Sequence, residues 1–519
     1  MHPRRFDSLA HLMRVLLVRP DPGNERFGLG PFFRAEPLGL LYIGAALLAQ
    51  GHEVTVVDLR FGDNLAKVLD RVCPQLVGIA GMHALEFDQV LDVARLVKRR
   101  RPGTFVLVGG HAIAAYPQPM LSAIVDAVCL DDGEEILPAL LDALEGKRPV
   151  LSVPGLLLPQ DRLWSKTHPL LNRTSLDAVP LPQRSLVEKY RHGYQCLMFR
   201  PTWLIETARG CPFRCNFCSV WQLYERSFRE RAVDAVVRDF QNTGPHIFVV
   251  DDLFWFHKNR SLELARALKR AGVRKRWMLV QTRTDLIVRH PDLLEEWRDL
   301  ADQFDIFFGL EAATDKTLDR VSKDLSIADT VEAVVLARSL RYGVTGNFLI
   351  DPTWDETDFH NLWDFVAEQK LHRAGYTILT PLPGTTLFAE LSSVLQDQPW
   401  FKYDMHHVLW EPKLGVERFF ELYAETWRRS VLNIRGDKKL WQWMRQVSLA
   451  NVPNMVRIML RTQRLMQPQA YLREHRESVQ KKPIRPLPGP EVAQVLSVHL
   501  QTPPAPAWEG REPTEKLLT

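Results

Sequence analysis

Short runs rich in Val, Ile, Leu and Phe alternate with stretches of helical spacing through most of this 519-residue chain. A strand followed by a helix returns in the same direction, so its neighbours pair in parallel, which restricts the chain to layered or barrel-like α/β architectures. The alternation comes in two series. The first passes through Arg14–Val18, Glu53–Leu59, Leu76–Gly81, Thr104–Gly110 and Ala127–Leu130, with helical patterns such as Leu38–Gln50 and Phe87–Lys98 between. Five such units predict a doubly wound parallel sheet over residues 13–145, with ligands at the carboxyl ends of its strands. The second series has its runs at Trp203–Thr207, His246–Asp252, Trp277–Arg283, Phe304–Glu311, Val344–Ile350 and Gly375–Leu382. Six units over residues 201–400 are too few to close an eight-stranded barrel, so a partial (βα)6 barrel is expected, with its chemistry again at the carboxyl ends.

The remaining segments supply the boundaries. Residues 1–12 precede the first strand as a short extension, and the Pro-rich residues 146–200 read as an irregular linker. Residues 401–482 read as mostly helical. Residues 483–519, with eight prolines and little periodicity, read as a disordered tail. Six cysteines in a chain of this length, half of them in one loop, exclude a disulfide framework and point to a reducing, cytoplasmic setting. The N-terminus lacks the apolar core of a signal peptide, and the longest uncharged apolar stretch, around Leu38–Gln50, is too short for a membrane span of about 20 residues. The net charge of +4 conceals an asymmetry: between Arg428 and Lys482, 13 Lys and Arg stand against three Asp and Glu. Within it MRQVSLANVPNMVRIMLRTQRLM, Met444–Met466, interleaves Arg457, Arg461 and Arg464 with apolar residues. Two readings stand: a helix capping the barrel with its arginines solvated, or peripheral attachment at the inner face of an anionic membrane. No nucleic-acid-binding module is evident.

Cys211, Cys215 and Cys218 in ARGCPFRCNFCSVW have the spacing C-x3-C-x2-C, in the loop expected after the first strand of the second series. Structural zinc wants four ligands in a closed tetrahedron, and the nearest fourth, Cys196, lies upstream across an aromatic-rich strand. An iron–sulfur cubane accounts for three thiolates better, since the fourth iron then stays open to a small ligand. Cys73, Cys129 and Cys196 are expected to be small buried hydrophobes.

With the aromatic Phe217 before its last cysteine, this loop resembles the motif of the radical S-adenosylmethionine (SAM) superfamily. The resemblance implies a [4Fe-4S] cluster on Cys211, Cys215 and Cys218, with SAM chelated by the open iron and cleaved by one electron to a 5′-deoxyadenosyl radical. It implies a reduced ferredoxin- or flavodoxin-type electron donor as well. It further suggests cofactor contacts for Asp251 and Asp252 in VVDDLF, Arg283 in QTRTD, Glu311 in FFGLEAATD, and the turn TPLPGT, Thr380–Thr385. For each of these a loop cap or an ion pair is the competing reading.

A doubly wound domain ahead of such a barrel resembles the cobalamin-binding architecture. Gly109 and Gly110 in LVGGHAIAAYP end the fourth strand, where glycine lets the backbone approach a ligand closely. DAVCLDDGEE, around Gly133, matches the second ligand-facing loop of that family. The family's frequent D-x-H-x-x-G is missing. His111 stands in the right neighbourhood but the wrong motif, so cobalamin is expected to bind without a histidine on cobalt. No G-x-G-x-x-G follows the first strand, which argues against a nucleotide domain.

Taken with both cofactors, FFRAEPLGLLYIGAALL, GMHALEFDQVL, CSVWQLYERSFRERAV, RKRWMLVQTRTDL, NFLIDPTWDE and YDMHHVLWEP resemble the hopanoid C-3 methylases, from about Met13 to Arg429. The resemblance implies a hopanoid lipid substrate methylated at C-3 of ring A. That carbon is unactivated, so no ionisable side chain can deprotonate it; a deoxyadenosyl radical takes its hydrogen and methylcobalamin supplies the methyl group. The protein then binds, aligns and excludes water, and no proton-transfer residue is nominated. Two alternatives are a cobalamin-dependent radical SAM enzyme of another lipid, peptide or small metabolite, and a non-catalytic cobalamin or redox sensor.

Overall fold

The computed structural model describes residues 12–23, 32–160, 163–169, 175–371, 373–395, 398–433, 456, 460 and 462–480. The expected extension before residue 12 and the tail beyond residue 482 lie outside them, as do Arg457 and Arg461.

The first unit is built on seven strands: β1 (Arg14–Arg19), β2 (Glu53–Asp58), β3 (Leu76–Ala80), β4 (Phe105–Gly109), β5 (Ala127–Cys129), β6 (Leu156–Gln160) and β7 (Leu163–Lys166). Their order is β2-β1-β3-β4-β5-β6-β7. β1 to β5 pair in parallel. Five residues of β1, Val15 to Arg19, are buried, the mark of a strand covered on both faces. Helices α1 (Leu38–Ala49), α2 (Leu65–Val72), α3 (Phe87–Arg100), α4 (His111–Ala115) and α5 (Gly133–Leu144) form the crossovers. α3 buries Phe87, Val90, Leu91, Ala94 and Val97, a stripe at helical spacing, and its last turn carries Lys98, Arg99 and Arg100 against the negative end of the helix dipole. α2 and α3 cover one face of the sheet, and α1 and α5 the other.

The linker is less irregular than its prolines suggest. Its first part supplies β6 and β7, which add to β5 as an antiparallel hairpin, and its Val187, Tyr190 and Tyr194 close the α1–α5 face. Cys129 and Cys196 are buried as expected. Cys73 is not: it caps α2 in a left-handed conformation, φ 47°, with its thiol donating to the Asp70 carbonyl at 3.1 Å.

In the second unit, β8 (Trp203–Ile205) is followed by a hairpin of β9 (Ala208–Gly210) and β10 (Phe228–Glu230), then by β11 (His246–Val249), β12 (Lys275–Thr282), β13 (Ala301–Glu311), β14 (Gly343–Ile350) and β15 (Ala374–Ile378). The strands of the main sheet run β8-β11-β12-β13-β14-β15, all parallel and in chain order, which makes the open six-stranded barrel. Its core runs on into the helix Val416–Asn433 through Phe419, Phe420 and Tyr423, and the ring of Tyr471 in the helix Pro468–Gln480 stacks on Phe420 at 5.2 Å. Each such large apolar side chain contributes about 1.5–3 kcal/mol. Leu395, Tyr403 and Leu409 leave the second unit to join the α2–α3 core of the first, with the Trp400 ring 4.9 Å from that of Phe87. Among the described residues no helix is long and apolar enough to cross a membrane.

The ends of β3 and β4 meet at glycines. Gly110 has φ 108°, and a Cβ there would lie 2.7 Å from the Gly81 carbonyl oxygen. Gly110→Ala is therefore expected to destabilise the protein by about 2 kcal/mol or more, read as a fall in the urea midpoint.

Candidate functional site

The sequence places the cysteine loop directly after the first barrel strand; in the structure β9 intervenes and the loop hangs between β9 and β10. Gly210, the residue before Cys211, has φ 98°, a Cβ there would press on the Ser227 carbonyl, and its N–H donates to Asp252 Oδ2 at 2.9 Å. The loop is pinned from helices beyond other strands as well. Asn216 N donates to the Val321 carbonyl at 3.2 Å and Asn216 Nδ2 to that of Arg320 at 3.0 Å, while the Asn216 carbonyl accepts from Leu387 N at 3.1 Å. The indole of Trp221 donates to the Cys215 carbonyl at 3.0 Å. Phe217 is half-buried within the loop.

Burial pushes the Cys211 thiol up to about 11 and Cys218 to about 12, and raises Cys215 against the pull of Lys323 and Arg283. Thiolates held this way need a metal to displace their protons. Three thiols in one short loop, each free of a disulfide, match a cluster that takes one thiolate per iron and fall one short of a closed zinc tetrahedron. Arg283 and Lys323 supply positive charge beside the negative charge of a thiolate-bound cluster. The residues present thus fit a [4Fe-4S] group with one iron left open.

The other predicted barrel residues gather around this loop, most with a protein partner. Asp251 is buried and accepts from Thr207 N at 2.6 Å and Thr207 Oγ1 at 2.5 Å; burial, against these bonds, carries its carboxyl up to about 7. Asp252 is solvent-accessible yet ringed by protein, as a group lining a cleft is, and that desolvation raises it to about 6. Arg283 is buried and fully engaged: Nε donates to Asp285 at 2.9 Å, the two terminal nitrogens donate to the carbonyls of Lys323 and Asp324 at 2.9 and 2.8 Å, and the guanidinium lies 3.6 Å from the centre of the Phe213 ring. Glu311 ends β13 at φ 60°, where the register with β14 shifts, and accepts from Lys323 Nζ at 2.8 Å. Holding a non-glycine residue there costs roughly 1–3 kcal/mol, and such strain gathers at functional sites. Gly309 lies beneath this pair; a Cβ would come within 2.6 Å of Lys323 Nζ and 2.7 Å of Glu311 Oε1. The TPLPGT turn closes the rim, with Thr385 capping the following helix through Phe388 N at 3.1 Å.

The carboxyl edge of the first sheet faces this loop. Its strand order reverses between β1 and β3, the crevice where doubly wound sheets take their ligands. The accessible side chains of Met82 and His83 rise from the end of β3 beside it. Gly109, Gly110 and Gly133 were expected to admit a ligand, but at each an added Cβ meets protein first: Cys129 Cβ at 3.0 Å, the Gly81 carbonyl, and Ile43 Cδ1 at 2.8 Å. The close approach they permit is of backbone and helix. His111 opens α4 with Nε2 2.7 Å from Ser219 Oγ, the residue after Cys218, and burial pushes its imidazole down to about 4. The switch-point end of the sheet thus comes up to the cysteine loop through His111 and Ser219, with Met82 and His83 left accessible there for a cofactor to cover.

Sequence reasoning missed the residues that join those edges. Arg209 donates to Asp132 and Glu134 at 2.7 Å each and to Glu206 at 2.8 and 2.9 Å, while Arg229 reaches Asp132 at 2.5 Å. Lys323 was missed too. The charges are visible in ARGC and DDGEE, but their pairing across more than 70 residues is not.

Residues 32–141 match the B12 binding domain and residues 205–366 the radical SAM superfamily. The chain is 29% identical to the hopanoid C-3 methylase of Methylococcus capsulatus over 509 residues, 94% of this chain and 95% of that protein. It is 26% identical to the bacteriochlorophyllide d C-12(1)-methyltransferase of Chlorobaculum tepidum, over 78% of this chain and 86% of that one. The fold is similar, with a TM-score of 0.65 and 16% identity, to the cobalamin-dependent S-adenosylmethionine radical enzyme OxsB with aqua-cobalamin and S-adenosylmethionine bound, covering 87% of this chain and 72% of that chain.

The raised carboxyl of Asp251 has a signed consequence. A folded pKa above the unfolded value makes its stabilisation complete below about pH 4 and lost as the pH rises through about 7. Asp251→Asn keeps the neutral form at every pH. It is expected to flatten the decline in urea midpoint between pH 5 and 8 and to exceed the parent by up to about 4 kcal/mol at pH 8.

Proposed function

We propose that this protein, a cobalamin-dependent radical SAM methyltransferase that works with a [4Fe-4S] cluster, SAM and cobalamin, methylates C-3 of the hopanoid A ring. What supports the substrate is likeness along the whole chain, 94% of it, to a hopanoid C-3 methylase. When bound, the cofactors supply a 5′-deoxyadenosyl radical that removes hydrogen from an unactivated carbon and a methyl group that replaces it. The protein's own residues bind and align. Cys211, Cys215 and Cys218 would hold three of the cluster's irons. Lys323 and Arg283 balance their charge and, with Glu311, Asp252 and the Thr380–Thr385 turn, shape the SAM side of the cleft. Gly109, Gly110, His111 and Gly133 bring the cobalamin loops up to the cysteine loop. Phe217 packs within that loop. Electrons come from a reduced ferredoxin- or flavodoxin-type donor.

A second reading keeps the chemistry and changes the substrate. It draws support from the bacteriochlorophyllide methyltransferase, similar over 78% of this chain at nearly the same identity. Lipids of a hopanoid-producing host carrying the gene separate the two: hopanoids one methylene heavier in the ring-A fragment are expected, and their absence beside active SAM cleavage would favour the second. Cys211→Ala, Cys215→Ala and Cys218→Ala are each expected to abolish 5′-deoxyadenosine formation and to lower bound iron. Full activity with stoichiometric zinc would remove the cluster assignment.

A lipid substrate also gives the basic C-terminal segment a use. Val456 and Leu460 are exposed, as is Arg464, and they recur at intervals of four. Each basic residue near an anionic surface contributes about 1 kcal/mol. The protein is expected to sediment with anionic but not neutral vesicles, less so at high salt and after Arg457, Arg461 and Arg464 are changed to Gln. Equal recovery in every supernatant would leave this segment as a cap on the barrel.

A further inference from the structure

Five charged side chains meet where the first unit touches the cysteine loop. Arg209 and Arg229 come from the two strands of the β9–β10 hairpin, Glu206 from the turn before it, and Asp132 and Glu134 from either side of Gly133 at the start of α5. Arg209, Asp132 and Glu134 are all at least nine-tenths buried. Arg209 is the hub, with one terminal nitrogen shared between Asp132 and Glu134 and a two-bond fork on Glu206. Burial opposes its charge, yet the three carboxylates hold the guanidinium well above its ordinary range. Asp132 sits below the usual carboxylate range despite burial, because both arginines face it.

A buried ion network is a poor device for stability, since apolar side chains of similar size commonly hold two surfaces together as well or better. What it supplies is geometry: a guanidinium fork fixes both distance and direction to its carboxylates. Here the geometry is passed on with little slack. Gly210 alone separates Arg209 from Cys211, and it is held by its own left-handed conformation, by Ser227 beneath it and by the bond to Asp252. On the other side Gly133 is packed against Ile43.

We propose that Arg209 is a positioning residue that sets the separation and orientation of the cluster loop relative to the cobalamin loop around Gly133. The proposal rests on the cofactor placement given above. A reaction shared by two cofactors is sensitive to such a distance, because a misplacement of about 1 Å can cost two orders of magnitude in rate. Arg209 touches neither reacting group; it acts through Cys211 and Gly133.

The full-length protein, reconstituted with iron, sulfide and cobalamin and reduced so that cluster and cob(II)alamin are both paramagnetic, provides the measurement. Their dipolar coupling in pulsed electron paramagnetic resonance reads the distance between them without any substrate. Wild type is expected to show one narrow coupling. Arg209→Gln, and Arg209→Lys, which keeps the charge but loses the fork, are expected to broaden or shift it while binding cobalamin and iron in wild-type amounts. Glu134→Gln, which removes one carboxylate charge and leaves Arg209 in place, is expected to shift it less and guards against misfolding of the arginine variants. An unchanged coupling in fully loaded Arg209→Gln or Arg209→Lys would overturn the proposal. So would loss of either cofactor from both arginine variants, which would make Arg209 a retention residue. Failure of the wild-type protein itself to load cobalamin or iron would instead bring down the cofactor placement on which the proposal stands.

Discussion

The strands of a parallel sheet all finish at one edge, where their loops and the amino ends of the following helices collect, and this molecule sets two such edges against each other. Nearly everything chemical depends on that opposition. Among the contacts that maintain it are the Arg209 network, the His111–Ser219 bond at 2.7 Å, and the approach of Gly384 in the Thr380–Thr385 turn to Ala115, where a Cβ would come within 2.8 Å. Polar, imidazole and backbone contacts thus share the seam. Apolar contacts join the units as well, where Trp400 and Tyr403 reach the α2–α3 face and where Leu38 and Tyr42 of α1 pack with Leu204 of β8.

Around the cysteine loop the chain accepts local cost. Glu311 is held at φ 60°, three thiols are desolvated, and Asp251 is buried far enough to take a proton near neutrality. Behind it lies the large apolar core of the barrel, with Trp255 and Trp297 buried. Strain concentrated at one rim of an otherwise regular barrel is what a site shaped for a charged cluster and a charged sulfonium requires.

Much of this was legible in the sequence, for physical reasons. The β-rich runs of the first unit match its strands to within a residue or two because the central strands are covered on both faces and read as nearly continuous apolar runs. The cysteine spacing spoke for the cluster because few other chemistries use three thiolates. What the sequence hid depends on pairing at a distance. LLLPQ did not read as a strand, since Pro159 interrupts it and its partner is antiparallel. The hairpin of Ala208–Gly210 with Phe228–Glu230 is too short to leave a pattern. Gly109, Gly110 and Gly133 stood out as places of close approach, but the close neighbour at each proved to be protein. The partners of Arg209 on the first unit, Glu134 and Asp132, lie 75 and 77 positions away, beyond the reach of any local rule.

The antiparallel hairpin of β6 and β7 bears on how the two units can be separated. β5 is three residues long, and without β6 its outer row of amide and carbonyl groups would face solvent as an open edge. Open edges recruit strands from other copies of a chain. The hairpin covers that edge with β6, whose Leu156, Leu157 and Leu158 are buried, and leaves as the outer strand the four-residue β7, short and ending in the exposed Lys166. A cobalamin unit excised at residue 145, where the βα pattern stops, would expose a sticky template and tend to aggregate. Excision after the hairpin would carry its own shield.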